Sequence, residues 1–314
     1  MKQGMGGHSR RGFLVRACAV VAGMLLGGYV RPPARAVWAA RENGSTIAVI
    51  KGNDLSAAVI NRMVDEGFEA LGGVGRFIKP DMNVVIKPNI GWNSPPERAH
   101  NTNPDLVEAV ARLCIAQGAR VKIFDRSVNT PQLCYRRSGI AQAAKNAGAD
   151  ISYMDDNKYF KLAVPSGLVY KSLPVYGDIM DADFLINMPI AKHHGSSTLT
   201  LSMKNLMGVL GGERGLYHWD LHPAIVDFNK AVKSDLVILD ATRILTAHGP
   251  NGGEAADIRE TKTIVMGTNP VTVDAWAVTL FGMQPGAIGY LALAGREGMG
   301  EINPAAMNVI SRSV

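Results

Sequence analysis

After residue 45 the chain alternates short, nearly continuous apolar runs with longer segments whose apolar residues recur at helical spacing. Short runs rich in Val and Ile are typical of strands that are buried on both faces of a parallel sheet. The predicted strands are Thr46–Ile50, Asn83–Lys87, Arg120–Asp125, Ile151–Met154, Phe184–Asn187, Leu236–Asp240 and Lys262–Met266. The predicted helices between them are Leu55–Leu71, Pro104–Gln117, Ile140–Ala147, Leu201–Val209, Pro223–Val232 and Val271–Phe281.

This alternation predicts an α/β fold, with an open, mostly parallel, doubly wound sheet and helices on both faces. Two helices have clear start signals, because Pro104 and Pro270 each follow an asparagine that can cap the helix. The alternating segment Lys161–Tyr176 carries Pro165-Ser166-Gly167 and predicts a β-hairpin insertion. No repeat or linker follows residue 45, so we expect residues 46–314 to form a single α/β domain.

The first 36 residues have the order of a secretory leader, in which basic residues precede an apolar stretch and then small residues. Arg10-Arg11 resembles the pair of a twin-arginine signal. The apolar run Ala17–Tyr29 is shorter than the ~20 residues that cross a bilayer. Residues 1–36 are therefore predicted to be a twin-arginine signal peptide, cleaved near Ala36 or Ala40. We expect the twin-arginine translocase as a partner during export, a periplasmic or otherwise exported product, and no membrane span in the mature chain.

The basic residues of this leader account for the formal net charge of +6. Residues 1–36 hold six basic side chains and no acidic ones, and subtracting six from the 33 basic residues leaves 27, equal to the 27 acidic residues. A neutral body lacks the electrostatic surface that binds phosphate backbones, so no nucleic-acid partner is expected.

Two cysteines, Cys114 and Cys134, follow the leader. Two thiols cannot supply a four-cysteine iron–sulfur cluster or zinc site within this chain. Cys114 falls on the apolar face of a predicted helix, where an inert buried thiol is common. Spacing alone leaves both a Cys114–Cys134 disulfide and free thiols open.

Polar residues gather at the carboxyl ends of the predicted strands, where open parallel sheets bind their ligands. Lys87 and Asn89 follow the second strand, Asp125 ends the third, and Asn187 ends a strand that leads into Lys192-His193-His194. An aspartate at such a position also serves as a helix cap or turn former, and the histidine pair could belong to a solvated loop. Adjacent histidines in extended structure point in opposite directions, so at most one of them is expected in a given site.

Further candidates follow this histidine pair. Lys204 and Asn205 open the next predicted helix, where they could hold an anion with backbone N–H groups or simply form the polar face. His218 and His222 have the i, i+4 spacing of a helical metal pair, but we discount this because Pro223 is predicted to begin the helix.

Together these stretches resemble the family catalogued as domain of unknown function 362. The resemblance covers nearly all of residues 46–282 and is carried by Val85–Asn89, Thr102–Val110, Val121–Asp125, Pro189–His194, Met203–Gly208, His218, Asp227, Asp240-Ala241, Gly249-Pro250 and Asp274-Ala275. It implies that Lys192, His194, Lys204, Asn205 and His218 lie on the family's motif positions. Many members also carry a ferredoxin-like cluster segment, for which this chain lacks the cysteines. A fainter similarity is to nickel-pincer lactate racemases, which also use Lys and His beside an α/β cleft.

The first hypothesis is an exported enzyme that acts on a small anionic molecule with a divalent metal or a metal-containing cofactor. Lysines would hold a carboxylate or phosphate, and a histidine would transfer protons or ligate the metal. The residues assigned are His194, Lys204 and Lys192 as catalytic, Lys87, Asn89 and Asn205 as substrate-binding, and His218 and Asp125 as metal ligands. We expect Lys87, Asp125, His194, Lys204 and His218 to line one concave surface, because right-handed crossovers keep parallel strand ends on one sheet edge.

The second hypothesis is a non-catalytic periplasmic binding or redox-accessory module. The resemblance implies an electron-transfer context, in which a separate iron–sulfur protein would be the redox partner and supply the cluster.

Overall fold

The computed structural model describes residues 45–314, so the predicted signal peptide lies outside the described residues. Its strands are β1 (Thr46–Lys51), β2 (Asn83–Pro88), β3 (Arg120–Ile123), β4 (Asp150–Ile151), β5 (Tyr159–Ala163), β6 (Ser172–Tyr176), β7 (Phe184–Met188), β8 (Ile190–His194), β9 (Thr198–Thr200), β10 (Leu236–Leu245), β11 (Ile258–Gly267) and β12 (Asn308–Ser313). Its α-helices are α1 (Ala57–Ala70), α2 (Pro104–Ala116), α3 (Pro131–Arg137), α4 (Ile140–Ala147), α5 (Gly177–Met180), α6 (Ser202–Asn205), α7 (Leu221–Ala231), α8 (Pro270–Val278) and α9 (Gly289–Arg296).

Ten of the strands in residues 45–314 form one mixed sheet, in the order β12-β1-β11-β10-β7-β2-β3-β4, with β8 paired to β10 and β9 paired to β8. The strands β10, β7, β2, β3 and β4 run parallel to one another, and β12 runs parallel to β1. Helices cover both faces of this sheet. The predicted α/β class with a mostly parallel sheet is confirmed.

One predicted strand runs against the expected direction. Lys262–Met266 is part of β11, which is antiparallel to both β10 and β1. A parallel return needs a crossover that usually contains an α-helix. Residues 246–257, between β10 and β11, contain only the 3₁₀ turn Ala255–Asp257, so the chain turns back beside the strand it has just left.

The apolar runs are continuous because the sheet is buried on both faces. In β2, Val84 and Ile86 belong to the hydrophobic cluster under α1, α2 and α4, whereas Val85 between them belongs to the cluster under α7, α8 and α9. Successive side chains of a strand point to opposite faces, so a central strand needs apolar residues at every position.

The helix starts are confirmed where an asparagine precedes proline. Asn103 accepts a hydrogen bond from Asp105 N at 3.0 Å, and Asn269 accepts one from Val271 N at 2.9 Å. The predicted start at Pro223 is wrong by two residues, since α7 begins at Leu221 and His222 is helical. Proline fits there because the N–H groups of a first helical turn need no partner within the helix.

The other differences concern short or irregular elements. The predicted helix Leu201–Val209 is one α-helical turn, α6, followed by the 3₁₀ turn Leu206–Val209. The predicted hairpin is confirmed, with β5 and β6 antiparallel, whereas the hairpin of β8 and β9 was not predicted. Within residues 45–314, none of the helices has the length and apolarity needed to cross a membrane.

Candidate functional site

Asn205 joins the ends of the two central parallel strands β2 and β7. Its Nδ2 donates to Asn187 Oδ1 at 2.8 Å and to the Lys87 carbonyl at 3.3 Å. Its Oδ1 accepts from Lys87 Nζ at 2.9 Å and from Asn89 Nδ2 at 3.2 Å. Both donor hydrogens and both acceptor positions of this buried amide are therefore used by the protein.

Lys87 is fully buried and its ammonium is surrounded by protein acceptors. Nζ lies 2.7 Å from Asp125 Oδ1, 2.9 Å from Asn205 Oδ1 and 2.8 Å from the Pro88 carbonyl. Burial lowers the pKa of Lys87, and the charge of Asp125 opposes that shift. Since an ammonium has three hydrogens and three oxygens face it, Lys87 positions the site and has no donor left for a ligand.

Asp125 is held from two sides. Its Oδ2 accepts from Ile90 N at 2.7 Å, and its Oδ1 faces Lys87. Gly208 closes over this ion pair: a Cβ at that position would lie 2.0 Å from Asp125 Oδ1 and 2.7 Å from Lys87 Nζ. Only glycine lets the backbone of residues 206–209 approach so closely.

Two further buried lysines lie near this ion pair. Lys192 donates to Asn89 Oδ1 at 3.2 Å and to the His100 carbonyl. Lys204 is 8% exposed, and no residue in the described part of the chain accepts a hydrogen bond from its ammonium. Burial, followed by the charges of Arg214 and Lys87, lowers the pKa of Lys204 to about 7.

Arg214 belongs to the same region and was missed by the sequence analysis. Its Nη2 donates to the Arg126 carbonyl at 2.6 Å, whereas its hidden Nε has no acceptor. Burial is the main reason why the pKa of this guanidinium is lowered. Gly211-Gly212-Glu213-Arg214-Gly215 reads as a surface turn, and nothing in that pattern separates Arg214 from a solvated arginine.

The hydrogen bonds of His194 define which ring nitrogen carries its proton. Nδ1 accepts from Ser196 N at 3.1 Å and from Ser197 N at 3.4 Å, so the proton of the neutral ring lies on Nε2. Burial, followed by the charges of Lys204 and His218, lowers the pKa of His194 to about 3. His194 is therefore a neutral side chain that donates from Nε2.

His218 has the opposite arrangement. Its Nδ1 lies 3.1 Å from the Arg214 carbonyl, which can only accept, so Nδ1 carries the proton and Nε2 keeps its lone pair. The rings of His194 and His218 stack with centroids 6.1 Å apart and an interplanar angle of 21°. One ring thus offers a donor at Nε2 and its neighbour offers an acceptor at Nε2.

We call Lys87, Lys192, Lys204 and Arg214 the cation cluster. Among the described carboxylates, only Asp125 exerts an opposing charge on its members, and it acts on Lys87, Lys192 and Arg214. Lys204 receives only the like charges of Arg214 and Lys87. Burial, followed by the charge of Lys204, also lowers the pKa of Lys192. Four buried basic side chains against one carboxylate leave positive charge uncompensated, and an anion would neutralise it.

A buried aspartate from α8 fixes the segment that carries Lys204. Asp274 accepts from Ser202 N at 2.8 Å, from Met203 N at 2.9 Å and from the Ser202 hydroxyl. Burial raises the pKa of Asp274 to about 7. These bonds satisfy the free N–H groups at the start of α6 and so position Lys204 and Asn205.

The predicted site residues Lys87, Asp125, Asn89, Asn205, Lys192, Lys204, His194 and His218 thus lie in one connected region. Lys192 and His194 belong to β8, so the solvated-loop alternative is wrong for them. His193 turns the other way, as expected for adjacent histidines, and its Nδ1 accepts from Gly249 N at 3.1 Å. His222 stacks on Tyr290 and does not pair with His218.

The predicted metal ligands find no support in the geometry. Within residues 45–314, no three His, Cys, Asp or Glu side chains are grouped to hold a metal ion. Asp125 Oδ1 forms an ion pair with Lys87, and the surrounding charges are positive, which disfavours a divalent cation. Cys114 and Cys134 are free and buried, and burial raises the pKa of Cys114 to about 12.

A polar cavity adjoins the Lys192 side of the cluster. His100, whose carbonyl accepts from Lys192, lies between Ser94 Oγ at 2.8 Å and the Gly252 carbonyl at 2.9 Å. His100 lines a cavity of about 280 Å³ that also contains Trp92, Arg98 and Arg137. The cavity therefore adds two arginines to the positive charge at this end of the sheet.

Comparison with known proteins agrees with the motifs. The family described as "Domain of unknown function (DUF362)" matches residues 84–279, more than half of the chain. A thylakoid-associated protein of Synechocystis sp. is 26% identical over 271 residues, which cover 83% of this chain and 81% of that protein. The lactate racemase apoprotein from Thermoanaerobacterium thermosaccharolyticum has 14% identity and a TM-score of 0.42, and the match covers 68% of this chain and 53% of that one. The chain spans about half the length of that structure, and a similarity at this level does not extend to function.

The close packing of Gly208 against the Lys87–Asp125 ion pair can be tested by substitution. Gly208→Ala should lower the free energy of unfolding by about 2–4 kcal/mol, because the new methyl group must push apart a buried ion pair that has no room to move. Chemical denaturation of the purified protein measures this change.

Gly195→Ala is the matched control. A Cβ at Gly195 would meet no atom within 4 Å, so the change should stay within about 0.5 kcal/mol. Equal effects of the two substitutions would contradict the packing described for Gly208.

Proposed function

Because the chain belongs to the DUF362 family, whose description names no reaction, we propose its function from the site itself: an enzyme that binds a small anionic molecule at the cation cluster. One observation carries this proposal. Lys204 and Arg214 are buried basic side chains. No described carboxylate opposes the like charges at Lys204, and Arg214 Nε has no acceptor. A carboxylate or phosphate group supplies both the missing charge and the missing acceptor.

Each residue has a distinct part in this proposal. Lys204 and Arg214 bind the anionic group, and the Nε2–H of His194 donates a further hydrogen bond to it. His218, with its lone pair at Nε2, accepts a proton from the ligand. Lys87, Asn89 and Asn205 are positioning residues, because their polar atoms bond one another. Lys192 is a further positioning residue, because it holds the His100 backbone and the Asn89 side chain.

Turnover is supported by the arrangement of the two histidines. A site that only binds an anion needs donors, and an imidazole held as a proton acceptor beside them adds nothing to affinity. His218 is held in that state by the Arg214 carbonyl. The described residues offer no observation that favours the redox-accessory alternative.

Export remains part of the proposal. The twin-arginine motif Arg10-Arg11 and the apolar run that follows it support passage through the twin-arginine translocase to the periplasm.

The anion site is tested by calorimetric titration with oxalate, whose charge is constant above pH 6. Lys204→Met and Arg214→Met should each weaken binding by about tenfold or more, because each removes a charge-assisted hydrogen bond. Lys145→Met is the matched control, since Lys145 is exposed on α4 and should leave the affinity unchanged. Unchanged affinity in both site variants, or no oxalate binding to the wild-type protein, would contradict the proposal.

The same titration has a predicted pH dependence. Lys204 is charged below its pKa of about 7 and attracts the anion, and it loses that charge as the pH rises through 7. The affinity should therefore fall by about tenfold between pH 6 and pH 8.5, with proton uptake on binding near pH 7.5. In Lys204→Met this slope should disappear, and a slope that persists in the variant would assign the titration to another group.

Export is tested by replacing Arg10 and Arg11 together with lysine. This keeps the charge but removes the paired guanidinium groups, so the uncleaved precursor should accumulate inside a bacterial host that has the translocase. Arg16→Lys, in the same segment, should be exported normally. Cell fractionation with immunoblotting separates the outcomes, and equal export of both variants would contradict the twin-arginine assignment.

A further inference from the structure

Lys204 differs from the other two buried lysines in what surrounds its amine. Lys87 faces three acceptors and Lys192 faces two. Lys204 has none among the described residues, although it is buried to a similar degree. Its nitrogen is also not among the polar atoms that are sealed from solvent without a partner. The amine therefore has no partner among the described residues and is not completely sealed from solvent.

The surroundings of Lys204 bring its pKa to about 7, so that near neutral pH part of the amine is unprotonated. Burial disfavours the charged form, and Arg214 and Lys87 add repulsion from like charges. An amine that is unprotonated near neutral pH has a free lone pair, and lysines activated in this way are nucleophiles towards carbonyl groups.

The groups that such a reaction requires lie beside this amine. The charge of Arg214 acts on Lys204, and its buried Nε has no acceptor among the described residues. The charges of Lys204 and His218 both act on His194. Arg214 is also joined to the two histidines by contact, since its backbone carbonyl lies 3.1 Å from His218 Nδ1 and the His218 ring stacks on His194.

We propose that Lys204 forms an imine with the carbonyl carbon of a small 2-oxo carboxylate whose carboxylate group is held by Arg214. This inference rests on the proposed anion site and deepens it by naming the substrate class. A 2-oxo acid fits because its carboxylate and carbonyl groups are on adjacent carbons, so one small molecule meets both side chains.

The step balances without an oxidant or reductant. Lys204 Nζ attacks the carbonyl carbon, and the C–O π electrons move to oxygen. A proton passes from nitrogen to the His218 Nε2 and then to that oxygen. His218 Nε2 then takes the second amine hydrogen and passes it to the hydroxyl group, the C–O bond breaks, and the C=N double bond forms. The carbonyl oxygen leaves as water with the two hydrogens that the amine has lost.

The test is reductive trapping of the imine in the purified mature protein. Pyruvate and cyanoborohydride are added at pH 7.5, and peptide mass spectrometry locates the resulting secondary amine. Lys204 should be labelled about tenfold or more over any exposed lysine, whose ordinary pKa near 10.4 leaves little free amine. Excess oxalate should suppress this label, because it occupies the same site.

Lys204→Arg is the matched variant, since it keeps the positive charge but cannot form an imine. It should still bind oxalate in the titration and should lose the label. Oxalate binding without a label on Lys204 in the wild-type protein would overturn the imine and leave the anion site standing. Absence of both would overturn the two proposals together. Equal labelling of Lys204 and exposed lysines would also overturn the imine, and this outcome needs no variant to fold.

Discussion

The buried ion pair between Lys87 and Asp125 is the interaction on which the rest of the site depends. Moving two charges out of water is unfavourable, and their mutual attraction offsets this only when the remaining polar atoms are also satisfied. Here Asn205 Oδ1 and the Pro88 carbonyl accept from Lys87 Nζ, and Ile90 N donates to Asp125 Oδ2. The pair ties the end of β2 to the segment after β3, and Gly208 packs directly against it.

Because this ion pair uses the carboxylate of Asp125, the other cations have no equivalent partner. Lys204 and Arg214 lie on the segment that Gly208 brings against the pair, and their repulsion is maintained by the fold. Proteins keep such an arrangement where a ligand supplies the missing charge, since perturbed titratable groups cluster at functional sites. The packing of Gly208 against the ion pair therefore explains both why the site is rigid and why a bound anion would stabilise it.

The sequence predicted those parts of the site that follow from strand topology. Lys87, Asp125 and His194 end strands or follow them closely, and parallel strands bring their ends to one edge of a sheet. Arg214 was missed because its place depends on how a loop folds back over the edge. The protonation states of His194 and His218 depend on one or two backbone hydrogen bonds each, which no spacing pattern reports. The direction of β11 was missed because apolar runs look alike in parallel and antiparallel neighbours when both faces are buried.

The central claim is that Lys204 sits in uncompensated positive charge which a bound anion relieves. Carbon-13 NMR of the lysine side chains over a pH titration measures this directly, with Lys204→Met assigning the signal. Without ligand, Lys204 should titrate near its pKa of about 7, well below the exposed lysines, and saturating oxalate should raise that midpoint. A Lys204 signal that titrates with the exposed lysines, or a midpoint that oxalate does not move, would contradict the account.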